Sequence, residues 1–138
     1  MKEYLFENID VGLKESFTTF LTEEMMSDFA VISGDHNPLH IDEAFAKDNG
    51  FKSNVVYGML TSSLYSRLVG MNLPGKYALL QGIDVSFRKP VYVGDCLKVT
   101  GEVAYKNDAY KQLEIKAMIE NQEEVVVSKA KIKVGVSE

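Results

Sequence analysis

Residues 33–42 read SGDHNPLHID and hold both histidines of the chain, His36 and His40, between Asp35 and Asp42. Two imidazoles four positions apart make a zinc pair when they share one face of a helix, as in HExxH. Here Asn37-Pro38 separates them, and a proline disfavours helical geometry at the residue before it. The histidines therefore do not share a regular helical face, and no third strong ligand follows at a diagnostic spacing, so no metal is expected. Two readings stay open. In one, Asp35 and Asn37 organise an Asx-type turn and His40 only packs or caps. In the other, the turn reverses the chain so that Asp35 and His40 point to one side and polarise a water near neutral pH, with Asn37 binding backbone or orienting the pair.

The elements that must position this turn differ before and after residue 79. Thr22 is a plausible N-cap, with Glu23 and Glu24 in the first turn where negative charge suits the helix dipole. Met25, Phe29 and Ile32 follow at helical spacing, so a short amphipathic helix is expected over 22–33, closed by Ser33-Gly34. A further short helix is expected over 42–47. Residues 58–72 form the most apolar helix, with Leu60, Leu64 and Leu68 on one stripe beside Met59 and Val69, a pattern that predicts a helix surrounded by protein. Segment 14–20 is β-prone. From residue 79 the period becomes two: Leu97, Val99 and Val103 alternate over 96–104, and Leu113, Ile115, Ala117 and Ile119 share a face over 111–120. Over 123–134, Val126, Ala130, Ile132 and Val134 oppose Lys129, Lys131 and Lys133. Turns at NDAY and NQEE, and a tight turn in VYVGD, make this an antiparallel meander with one wet face. An apolar helix beside such a sheet is buried when the sheet wraps around it, an α+β arrangement within one domain spanning 1–138. The sheet edge left open favours pairing with a second copy.

The 46% hydrophobic and 25% charged residues are those of an ordinary globular chain. A formal net charge of −5 argues against a nucleic-acid surface. Charges interleave with the apolar residues of MKEYLFENIDVG, so no signal peptide is expected, and no apolar run is long enough for a membrane span. The single cysteine, Cys96, cannot form an internal disulfide; a buried thiol in a reducing cytoplasm is expected.

The run FAVISGDHNPLHIDEAFA, then FKSNVVYGMLTSSLYSRLVG, then LLQGIDVSFRKPVYVGD resembles the MaoC-like family of (R)-specific enoyl-CoA hydratases over nearly the whole chain. GDxNPxH is its most specific element. The resemblance implies a hotdog fold, in which an antiparallel sheet wraps a central helix. It implies that Asp35 and His40 are the catalytic dyad and that Gly58 offers its backbone N–H to the thioester carbonyl. It further implies that Ser66 supports the site. At the start of a helix, free N–H groups and the dipole suit a developing oxyanion, and a glycine lets the acyl group approach closely. One departure stands out: the family commonly has His before that glycine, and here the residue is Tyr57, which bears on the acyl pocket.

The implied reaction is addition of water to a trans-2-enoyl thioester, giving the (R)-3-hydroxyacyl product, with the thioester as substrate and no cofactor. Arg88-Lys89 is the compact basic pair that could meet a CoA phosphate. The carrier is CoA or acyl carrier protein, and a homodimer is expected. A hotdog thioesterase and a non-catalytic acyl-thioester-binding subunit are the competing readings, separated by release of free thiol and by binding without turnover.

Overall fold

The computed structural model describes residues 1–137. Strand β1 (Lys14–Phe20) leads into helices α1 (Glu23–Ser33), α2 (Pro38–Ile41), α3 (Glu43–Asp48) and α4 (Gly58–Arg67). Strands β2 (Ala78–Phe87), β3 (Cys96–Asn107), β4 (Gln112–Glu120) and β5 (Val126–Val136) follow. The strands form one antiparallel sheet in the order β1-β3-β4-β5-β2.

The period-two reading of the sheet holds. Val99 stands opposite Ile119, Ile115 opposite Ile132, and Ala117 opposite Ala130, and all of these side chains are buried. Lys116, Lys129, Lys131 and Lys133 are exposed on the other face. Each fully buried Ile or Leu contributes about 1.5–3 kcal/mol relative to an exposed one, so this register is strongly held. Helix α4 lies against the inner face: a Cβ on Gly101 of β3 would stand 2.7 Å from Leu68 Cδ2, just past the helix end. The Tyr65 hydroxyl of α4 and Ser128 Oγ of β5 form a buried hydrogen bond of 2.8 Å. Among the described residues no helix is long and apolar enough to cross a membrane.

The structure departs from the expected patterns in four places, three of them in the helices. In α1 the ends agree: Thr22 Oγ1 accepts the Met25 N–H and Gly34 closes the helix in the left-handed conformation. The buried residues, however, are Met26 and Ala30, with Met25 and Phe29 half-buried. Ile32 is 83% exposed, since it sits roughly 200° round the helix from Ala30. Second, the proline turn is itself a one-turn helix, α2. Pro38 takes a first-turn position where its missing N–H costs nothing, and Asn37 Oδ1 caps it by accepting the Leu39 N–H. Third, α4 buries Thr61, Ser62 and Tyr65, while Leu60 and Leu64 are half-buried and Met59 is 66% exposed. This chain alone covers one face of the helix and does not surround it. Hydroxyls are tolerated inward because each has a partner: Thr61 and Ser62 both donate to the Gly58 carbonyl. Beyond Arg67 the backbone widens into a π turn, Leu68–Asn72. Fourth, Cys96 is half-buried, because strand parity puts it on the wet face with Lys98.

Candidate active site

A cavity of about 590 Å³ opens where α2, the start of α4 and the end of β2 meet, and Asp35, His40, Tyr57, Gly58, Arg88 and Lys89 all line it. The loop that carries Asp35 is built from local bonds. The Asp35 Oδ1 accepts the Asn37 N–H at 3.0 Å, and Ser33 Oγ accepts the Asp35 N–H at 3.1 Å. That Asx turn leaves Asp35 Oδ2 without a partner among the described residues. His40 follows in α2, half-buried, its Nδ1 2.6 Å from the Val55 carbonyl oxygen. A carbonyl has no proton to give, so Nδ1 carries one and Nε2 is the nitrogen left to exchange protons. Segment 54–56 clasps α2 from outside: Asn54 Nδ2 donates to the His40 carbonyl and the Val55 N–H to the Leu39 carbonyl.

Tyr57 is 2% exposed and stacks on the His40 ring, with centroids 4.1 Å apart and planes 28° apart. Its hydroxyl donates to the Asp35 carbonyl oxygen at 2.6 Å, and its ring makes a T-shaped contact with Phe29, centroids 4.9 Å apart. Burial first, and the Asp35 charge second, push the Tyr57 phenol above its ordinary value. Gly58 opens α4. Its N–H meets no acceptor among the described residues, as befits the first turn of a helix. A Cβ there would stand 2.8 Å from the Phe87 ring.

A carboxylate, an imidazole with one committed nitrogen, and an unpaired helix-start N–H thus surround one cavity. The arrangement suits acid–base chemistry beside a polarised carbonyl. The MaoC-like domain profile matches residues 7–127. The chain belongs to the MaoC-like domain family. It is 42% identical over 97 residues to the (R)-specific enoyl-CoA hydratase of Aeromonas caviae, an alignment covering 70% of this chain and 71% of that protein. It is 37% identical over 99 residues to the 3-hydroxybutyryl-CoA dehydratase of Methylorubrum extorquens, covering 72% of this chain and 63% of that longer protein. The solved (R)-hydratase from A. caviae superposes with a TM-score of 0.90 at 32% identity, covering 94% of this chain and 98% of that one. The fold is therefore the hotdog fold, and the sheet and central helix are those of its MaoC-like members.

Within this MaoC-like site the residues picked out from the sequence divide. Asp35, His40, Tyr57, Gly58, Arg88 and Lys89 line the cavity. Asn37 does not; it is exposed and acts on the backbone as the cap of α2. Ser66 does not line it either, being exposed on α4 eight residues past Gly58, about 12 Å along the axis. Among the described residues no group of three or more His, Cys, Asp or Glu stands close enough to hold a metal ion. Phe29, Phe51 and Phe87 complete the apolar wall. The Val55 carbonyl sets the imidazole, and as a backbone atom it left no signal in the residue pattern.

Proposed function

We propose that this chain hydrates trans-2-enoyl-CoA to (R)-3-hydroxyacyl-CoA, and dehydrates the product in reverse. The observation that carries the reading is that Asp35, His40 and the unpaired Gly58 N–H border one cavity, in a family whose relatives are named for this reaction. The thioester carbonyl accepts the Gly58 N–H, which draws electron density from the alkene and makes C3 electrophilic. A water held by Asp35 and His40 Nε2 attacks C3, gives up a proton to the dyad, and C2 receives a proton as the double bond is lost. Water and enoyl thioester balance the reaction without a cofactor.

Arg88 and Lys89, exposed at the cavity rim, are assigned to the carrier's phosphate, whether on CoA or on the prosthetic group of acyl carrier protein. The active unit is proposed to be a homodimer. β2 is a terminal strand of ten residues that exposes Leu79, Leu80, Ile83 and Phe87, an edge that a second copy would cover. A reducing cytoplasm suits the free thiol of Cys96.

Purified protein should consume crotonyl-CoA with loss of enoyl-thioester absorbance. Asp35→Asn and His40→Ala should each lower kcat by about 10²–10⁴-fold. Both variants should still fold: Asp35 is exposed, and losing the His40 bond to Val55 costs only about 1–2 kcal/mol. Release of free thiol would move the protein to the thioesterases, and binding without turnover would make it a non-catalytic acyl-thioester-binding subunit.

A further inference from the structure

We infer that Tyr57 is a positioning residue that ties the two halves of the dyad together, holding Asp35 through its hydroxyl and His40 through its ring. The inference rests on the hydratase reading and deepens it. Residues 34–38 are all exposed, so no packing fixes them. Their hydrogen bonds, with one exception, close within four positions in sequence: Gly34 to Ala30, Asp35 to Ser33, Asn37 to Asp35, Leu39 and His40 to Asn37, and Asp42 to Pro38. Such local bonds shape a turn but do not anchor it to the body of the protein. The exception is the 2.6 Å bond from the Tyr57 hydroxyl to the Asp35 carbonyl oxygen, which spans 22 residues.

The anchor itself is firm. Tyr57 is 2% exposed, in T-shaped contact with Phe29 and stacked on His40, and its carbonyl accepts the Leu60 and Thr61 N–H groups that begin α4. One buried side chain thus touches the loop of the carboxylate and the ring of the imidazole, and the next residue is the glycine of the proposed oxyanion site. Burial keeps the phenol protonated, and so a donor, beyond its ordinary range. Where the family commonly has His, this chain has a longer side chain whose terminal hydroxyl reaches the Asp35 backbone. A dyad loosened by about an ångström loses on the order of a hundredfold in rate.

Tyr57→Phe removes the hydroxyl and keeps the ring on His40. We expect kcat for crotonyl-CoA to fall by about tenfold or more with KM within about twofold, because the acyl wall is unchanged. In an Asp35→Asn background the same change should cost nothing further, since its effect runs through Asp35. Hydrogen exchange of the amides of residues 35–37 and 39 should quicken in Tyr57→Phe, while β4 and β5 keep their protection. An unchanged kcat, or an equal loss with and without Asp35, would overturn the inference, as would unchanged exchange. If the wild-type protein hydrates no enoyl thioester, the hydratase reading fails by itself, and the exchange experiment still decides whether the tether exists.

Discussion

At Gly58 three demands meet in a residue without a side chain. Its N–H meets no acceptor among the described residues, its carbonyl takes the Thr61 and Ser62 hydroxyls at 2.8 and 2.9 Å, and the Phe87 ring occupies the space where a Cβ would stand. The Gly58 N–H shares its peptide plane with the Tyr57 carbonyl, which accepts the Leu60 and Thr61 N–H groups, so the direction of the N–H is set before any substrate arrives. Gly58→Ala is expected to fold, because Phe87 is 55% exposed and can swing aside, and alanine is the better helix former by about 1 kcal/mol. The displaced ring and added methyl should lower kcat/KM for crotonyl-CoA by about 10–100-fold with little change in melting temperature. Wild-type kinetics in this variant would remove Gly58 from the carbonyl site.

At the scale of elements, α4 is held to the sheet by a polar bond inside an apolar interface. Burial pushes the Tyr65 phenol up to about 12, partly offset by its bond to Ser128. The sign follows from proton binding: above pH 10 the unfolded chain releases this proton, while the folded protein keeps it until about 12. The stabilisation is complete below pH 10 and is lost as pH rises through that window, by up to about 3 kcal/mol. Tyr65→Phe should cost about 1–2 kcal/mol at neutral pH, since Ser128 is left buried without its partner. It should also flatten the alkaline limb of denaturant-unfolding stability measured from pH 9 to 12. An equally steep limb in the variant would assign that limb to other groups.

For the whole molecule, the two edges of the sheet are not equivalent. β1 has seven residues, largely polar, whereas β2 has ten and exposes four large apolar side chains. α4 also leaves one face open, with Met59 66% exposed. A long apolar edge beside a half-covered helix suits burial against a second copy. Sedimentation at micromolar concentration should give a dimer, and Ile83→Lys, a charge on that edge, should shift it toward monomer with loss of turnover. A wild-type monomer with full activity would count against the dimer.

Much of this was legible in the residue order, for reasons that stay local. Thr22 and Gly34 mark the ends of α1 because capping is settled within a few residues, and strand parity sorted Ile115 from Lys116 because neighbours on a strand face opposite sides. The turn around Asp35 and His40 could be weighed for the same reason, whereas the glycine at 58 was picked out by the family resemblance. Residue order misled where a choice lay between two nearly equivalent faces. Leu60 and Leu64 looked like the core of α4, yet Thr61, Ser62 and Tyr65 turned inward because Gly58 and Ser128 supplied partners. Pro38 keeps Asn37 out of helical geometry, as its sequence position requires, yet the segment read as a turn begins α2 at Pro38. The sequence by itself determined which groups can exchange protons and how the strands divide their faces. Only the tertiary structure decided that the Val55 carbonyl holds His40 Nδ1 and that Tyr57 holds Asp35, because both are contacts of a side chain with a distant backbone carbonyl, which every residue type carries alike.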